Sequence, residues 1–473
     1  MQPKNNKGTI SGGDFSRPSQ FRRVLGLRDL VFYGIVLVQP VGAIGIFGIA
    51  SGSSGGHVAT ALIIAMTAMM LTAVSYGRMA SAFPSAGSAY TYVGKGLNPY
   101  LGFLAGWAMF LDYLIVPVIN TVYGSLTMQR LLPGVPYFIW VTLFVLAITL
   151  LNLRGIRTTA RSNNVLLTVM IIIIGLFIFF AVRYIIFRNG LKGLFSFRPF
   201  YNPSTFDPAS VLTATSLAAL TYIGFDGVTT LAEDVKNARR NMMIAPVLVC
   251  LITGLFGIAE IYLAQMSSPG TIEFENPETA FYDVSMTVGG SFLFNAVAAI
   301  LFVACLGSGL TGQVAAARLL FAMGRDNILP GRLFGRLTGK NSTPVYNILI
   351  MGILTIVISF SISYRGAAEL LNFGAFLAFM GVNLAVIRHF GLKTERKADR
   401  HIIYDLFIPA AGFIVCFLIW ISLPSTAKRI GGFWLLAGLI YLAVITGGFR
   451  RKPVNIDFEG SDGFDAGASS QTN

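Results

Sequence analysis

Two stretches decide how this chain folds: Pro40-Val41-Gly42-Ala43-Ile44-Gly45-Ile46-Phe47-Gly48 and Tyr222-Ile223-Gly224-Phe225-Asp226-Gly227. Each interrupts an apolar run of membrane-crossing length. A glycine-rich interruption inside a membrane helix frees backbone N–H and C=O groups that lipid cannot satisfy, so it must line a cavity or meet a ligand. The competing explanation is close helix packing through small residues, and with 51 glycines some clustering is expected. Two interruptions at corresponding places favour a site.

Working outward from them, a bilayer core of about 30 Å needs roughly 20 apolar residues per helix. Twelve stretches qualify, near 29–51, 57–80, 99–126, 135–153, 162–187, 209–234, 241–266, 290–321, 344–363, 366–391, 402–422 and 430–449. The interrupted spans are the first and the sixth. That spacing predicts an inverted repeat of spans 1–5 and 6–10 with two helices added. The expected organisation is a tail at 1–28, five-helix units at 29–187 and 209–391, helices 11 and 12 within 402–449, and a tail at 450–473. Continuous apolar runs such as 165–180 exclude the alternating strands of a membrane barrel.

Composition agrees with an all-α membrane protein. The 473 residues are 54% hydrophobic and only 12% charged, with a mean hydropathy of +0.69, whereas soluble proteins carry about 25% charge. The net charge of +14 comes from basic residues in short loops rather than from a basic, aromatic-rich patch, so no nucleic-acid partner is expected. With both termini on one side, 27 of the 35 Lys and Arg fall on that side and 8 on the other. By the positive-inside rule both tails are expected in the cytoplasm, with the protein in the cytoplasmic membrane and the acidic 271–283 loop outside. The polar, Gly/Ser-rich start lacks a signal peptide's apolar core.

Catalytic patterns are missing. Cys250, Cys305 and Cys416 lie in apolar runs without CxxC spacing, and His57, His389 and His401 are not at metal-ligand spacing. No metal or cofactor is expected. The sequence contains no GxxxxGK[ST] phosphate loop, and no nucleophile–His–acid set is plausible. The chain is not expected to be an enzyme. A membrane sensor would need a larger soluble output domain than tails of about this length provide.

Charges within the spans each demand an explanation, because a carboxylate at mid-bilayer costs about 2.5–3.5 kcal/mol. Asp226 sits in the second interruption, as substrate ligand or as cap of the restarted helix. Asp112, beside Tyr113 in span 3, and Glu260 in span 7 are candidates for a proton relay or for structural hydrogen bonding. Glu233 lies where span 6 reaches its end, next to Asp234, Lys236, Arg239 and Arg240, and suits a gate salt bridge or a solvated turn. Ser308, Thr311 and Gln313 in span 8 suit interhelical hydrogen bonds or, with backbone carbonyls, a sodium site. Phe225 is a candidate aromatic lid.

The chain resembles the amino acid–polyamine–organocation permeases, and within them the bacterial putrescine importers and related permeases. The motifs are Phe47-Gly48-Ile49-Ala50-Ser51-Gly52, Ala86-Gly87-Ser88-Ala89-Tyr90-Thr91-Tyr92, Leu111-Asp112-Tyr113-Leu114, Gly224-Phe225-Asp226-Gly227-Val228-Thr229-Thr230, Met323-Gly324-Arg325-Asp326-Asn327 and Leu371-Asn372-Phe373-Gly374-Ala375. The resemblance implies a leucine-transporter-like fold, alternating access and a substrate site between spans 1 and 6. The site residues would be Gly42, Ala43, Ile44, Gly45, Ile46, Tyr222, Gly224, Phe225, Asp226 and Gly227. Independently, a half-helix starting after Gly45 offers N–H groups to a carboxylate. Carbonyls freed before Gly42 and Gly224 suit an ammonium group. Two departures matter. The putrescine importers carry an acidic residue where this chain has Gly45, which favours a zwitterionic amino acid over a diamine. Some proton-coupled permeases place a Lys in span 5 where this chain has Met170.

The expected function is secondary active import of an amino acid. Polyamine import or amino acid exchange is the alternative, with membrane lipid as surroundings and no obligate protein partner. Without an ATP site, uphill import draws on an ion gradient. A co-transported proton carried by Asp226, Asp112 or Glu260 is favoured over sodium, because burial disfavours the charged form of a carboxylate.

Overall fold

The computed structural model describes residues 25–83, 88–154, 160–268, 270, 272–325, 330–337, 344–392 and 401–451. Among the described residues the architecture is all helical, and the single extended pairing is an isolated bridge between Leu25 and Val235. Span 1 is two helices, α1 (Leu27–Val38) and α2 (Gly42–Ser54), bent by 46°. Then follow α3 (Val58–Ala82), α4 (Ser88–Gly96), α5 (Pro99–Leu131), α6 (Tyr137–Leu153) and α7 (Ala160–Asn189). Span 6 is α8 (Pro208–Ala218) continued by 3-10 turns at Ala219–Tyr222 and Phe225–Asp234. After it come α9 (Ala238–Ser267), α10 (Ala280–Arg325), the short α11 (Gly331–Phe334), α12 (Val345–Ser359), α13 (Tyr364–Val386), α14 (Ile408–Ile421) and α15 (Ser425–Ile445).

Among the described residues, nine helical segments are long and apolar enough to cross a membrane, and the bent pair of span 1 makes a tenth. The apolar helices α6 and α12 are shorter. Two elements were not visible in the hydropathy pattern. One is α4, and the other is the first part of α10, set off from the rest by Gly290, whose φ of 62 with ψ of −163 is a conformation that L side chains rarely adopt.

Local chemistry explains the helix starts. Asn98 accepts from the Tyr100 N–H (2.8 Å) just before Pro99, which fills the first helical position. Asp207 caps α8 in the same way, accepting from Ser210 N–H (2.8 Å) before Pro208. These hydrogen bonds from Ser210 hold the exposed Asp207 carboxyl below the usual carboxylate range. Ser363 caps α13 through Gly366 N–H.

α13 is the centre of the bundle, 78% buried over its apolar window, whereas α15 is 17% buried over its own. A helix that is apolar all round and mostly uncovered faces lipid rather than protein. Packing is close where small residues meet backbone: a Cβ on Gly77 would come 2.7 Å from Met243 Cα, drawing α3 onto α9. A buried ion pair, Arg78 with Asp405, ties α3 to the segment leading into α14; Asp405 also accepts from His401 N–H.

Candidate functional site

The two interruptions touch each other. Gly42, at the start of α2, faces Thr221, 3.8 Å from its would-be Cβ. Gly224 faces the Leu37 carbonyl at the end of α1, at 3.4 Å. Gly224 has φ +114, a backbone shape that side-chain-bearing residues rarely take, so glycine here is a steric requirement.

The break in span 1 lies earlier than the sequence suggested. The chain turns at Gln39, Pro40 and Val41, and α2 begins at Gly42 rather than after Gly45. Pro40 supplies no N–H, and Gln39 takes φ 60. The Gln39 side chain then bonds to the Ala304 carbonyl of α10 (3.1 Å), a tie that polarity alone did not single out. Val41 provides no side-chain cap; in the first turn of α2 the Gly42 N–H donates to Gln39 O (2.8 Å) and the Ile44 N–H to Val41 O (3.2 Å).

Gly45, Ile44 and Ile46 are therefore inside α2 and buried. A Cβ on Gly45 would come 2.6 Å from the Tyr364 hydroxyl and 3.2 Å from the Tyr123 ring, and these two rings pack at 4.7 Å, tilted by 37°. The tyrosine pair fills the space that the sequence assigned to substrate at Gly45. Ala43 packs on Gly257 of α9.

Above the tyrosines lies a vestibule of about 880 Å³. Gly48, Ser210, Glu273, Glu278, Ser363 and Arg365 are among the residues lining it. Arg365 pairs with Glu369 (2.7 Å) and donates its backbone N–H to Glu278.

On the other side of the breaks, charge gathers. Asp112 and Asp226 are buried and close enough for their charges to act on one another, with Tyr76, Tyr92 and Tyr113 around them. The Asp226 carboxylate is held by backbone N–H groups at the break, the capping role weighed for it, while Asp112 Oδ1 and the Tyr76 hydroxyl have no partner. No Lys or Arg acts on either carboxylate among the described residues.

Other candidates fall elsewhere. Tyr222 donates to the Leu62 carbonyl (3.0 Å) and is an anchor onto α3. Phe225 is fully buried among Tyr76 and Phe379, at ring distances of 5.5 and 5.2 Å, away from the vestibule. Gly227 packs near Leu37. Ser308 accepts from Asn120 on α5, Thr311 turns back on its own helix, and Gln313 joins Asn152 and Thr149 of α6. These span 8 groups are thus engaged in interhelical and local hydrogen bonds. The Glu233 and Asp234 side chains lie outside the described ones. Glu260 is fully buried with neither carboxylate oxygen hydrogen-bonded. No cluster of His, Cys, Asp or Glu fit for a metal occurs among the described residues.

Where span 6 ends, its backbone is tied to the residues that lead into α1: Lys236 N–H donates to Leu25 O (2.9 Å).

Residues 25–449 match the family described as amino acid permease. The low-affinity putrescine importer PlaP of Escherichia coli (strain K12) is 34% identical over 436 residues, 91% of this chain and 95% of the relative. The methylthioribose transporter of Bacillus subtilis (strain 168) is 28% identical, over 90% and 94% of the two chains. The branched-chain amino acid permease BcaP of the same organism is 27% identical, over 90% and 93%.

Proposed function

The chain belongs to the amino acid permease family, and from that premise we propose that it is a proton-coupled importer of small organic amines, cationic amines above all. As a member it is an integral membrane protein and a secondary transporter of amino acids or amines, not an enzyme. The observation that carries the finer reading is the pair Asp112 and Asp226, buried beside the touching breaks with no basic residue to compensate them. Buried carboxylates need a cation or a proton. A diamine supplies the first, and the similarity to putrescine importers supports it.

A second reading is a zwitterionic amino acid. It is favoured by the start of α2, which no side chain caps and whose positive dipole end suits a carboxylate.

Twelve crossings and the five-plus-five inverted repeat belong to this proposal, supported by how the helices pair. Span 1 meets span 6 at the breaks, α3 lies along α9, α5 along α10, and α6 along α12. Four of the five spans of the first repeat thus pack with their counterparts five spans on, as a two-fold axis in the membrane plane would place them. With the tails cytoplasmic, the vestibule opens outward. The protein sits in the cytoplasmic membrane and works by alternating access.

Thermal unfolding of the purified protein tests the substrate class, since a ligand at 100 times its Kd adds about 2.7 kcal/mol. Putrescine is expected to raise Tm more than leucine, and Asp112→Asn or Asp226→Asn to abolish the putrescine shift first. A larger leucine shift that both variants keep would establish the amino acid reading instead.

A further inference from the structure

Among the buried carboxylates of the described residues that no Lys or Arg pairs, Asp112, Asp226 and Glu260, Glu260 stands apart. Asp226 is held by backbone N–H groups, and Asp112 shares its surroundings with Asp226 and tyrosines. Glu260 has no solvent exposure, and neither of its oxygens has a hydrogen-bond partner. Its place is specific. One turn before it, Gly257 packs on Ala43 in the first turn of α2, with 3.1 Å from the would-be Cβ to the Ala43 Cβ. Five residues after it, Gln265 donates to the Gly56 carbonyl just past the end of α2 (2.6 Å). Glu260 therefore lies between the two points that fasten α9 to α2.

Nothing nearby compensates its charge. α2 carries no titratable residue. On the other elements packed against α9, the titratable groups within the spans include Tyr33 on α1, Tyr76 on α3, Arg183 on α7, Tyr222 and Asp226 in span 6, and Tyr282 on α10. None of these acts on Glu260. An isolated ionised carboxylate in an apolar interior is so costly that the group neutralises instead. Packed as here, Glu260 is a carboxylic acid. Its proton leaves only when water reaches the seam between α2 and α9, and α2 is half of a broken span whose displacement opens or closes the site.

We infer that Glu260 carries the coupling proton, loading it from water on one side of the membrane and releasing it on the other as α2 shifts along α9. The inference rests on the proton-coupled reading above and singles out Glu260 from the three carboxylates, Asp226, Asp112 and Glu260, that the sequence offered as carriers. It is independent of which amine is carried.

Two measurements on the full chain in proteoliposomes decide it. Infrared spectra are expected to show a carboxylic-acid C=O band that Glu260→Gln removes; a spectrum unchanged by that substitution overturns the inference. In transport, an imposed pH gradient is expected to drive accumulation of labelled putrescine or leucine by the unsubstituted protein. Glu260→Gln, which mimics the neutral acid, keeps counterflow exchange of the same probe and loses all gradient-driven accumulation. Accumulation by Glu260→Gln equal to that of the unsubstituted protein overturns the role of Glu260 while leaving proton coupling intact. Unsubstituted protein that responds to a sodium gradient and ignores pH overturns both. Glu260→Met, apolar and of similar length, replaces the Gln variant if the latter does not fold, with the same expected loss.

Discussion

Gly224 and Gly45 show how different two glycines of one site can be. At Gly224 the backbone itself is the constraint: φ +114 strains any side chain, at about 1–3 kcal/mol. Gly224→Ala is expected to lower Tm and uptake together, a pairing that thermal unfolding and flux on one preparation will reveal. Gly45 has ordinary helical geometry, and its constraint is the Tyr364 hydroxyl 2.6 Å from the would-be Cβ. Gly45→Leu is expected to insert into membranes normally yet lose uptake, because its side chain must displace the Tyr123–Tyr364 pair. Normal transport by that variant would remove the tyrosine layer from the pathway. The charged members of the site were legible in the sequence, since a carboxylate in an apolar run is conspicuous. Gln39, Tyr123 and Tyr364 were not, because a Gln or Tyr in a span usually means nothing more than packing or an interface anchor. The position of the break was misjudged for a related reason. Glycine density marks where a helix is able to yield, whereas the residue that forces it is Pro40 beside Gln39.

At the scale of elements, hydropathy located the long spans well and missed what is short or bent. α4 has little apolar character, and α10 hides a turn at Gly290 within one apparent run. The partner of Asp405 was equally invisible: the expected span 402–422 contains this carboxylate near its start, and nothing in the sequence points from it to Arg78. In the fold it is 1% exposed and bound to Arg78 of α3. Breaking a buried pair by removing one partner costs about 3–5 kcal/mol, while replacing both with apolar groups is often neutral. Arg78→Met alone is therefore expected to lower Tm sharply. The double variant Arg78→Met with Asp405→Leu should recover most of that loss. Equal destabilisation by the single and double variants would mean that the pair does not act as a unit.

For the whole molecule, orientation is the open quantity that composition addresses and helix packing does not. Cys250, Cys305 and Cys416 are all buried, so single cysteines can be introduced without first removing them. Asn276→Cys at the vestibule rim is expected to react with a membrane-impermeant maleimide on intact cells, and Arg239→Cys at the opposite end only after lysis. The reverse pattern would invert the topology and turn the vestibule toward the cytoplasm. The vestibule has a consequence of its own. At about 880 Å³ it is roomier than any single small amine requires, and the tilted tyrosine pair borders it through Ser363 and Arg365, the chain neighbours of Tyr364. A bulky polyamine conjugate, anchored by Glu273 and Glu278 and too wide to slip past those rings, would act as a cork: an inhibitor that silences the carrier without ever becoming its cargo.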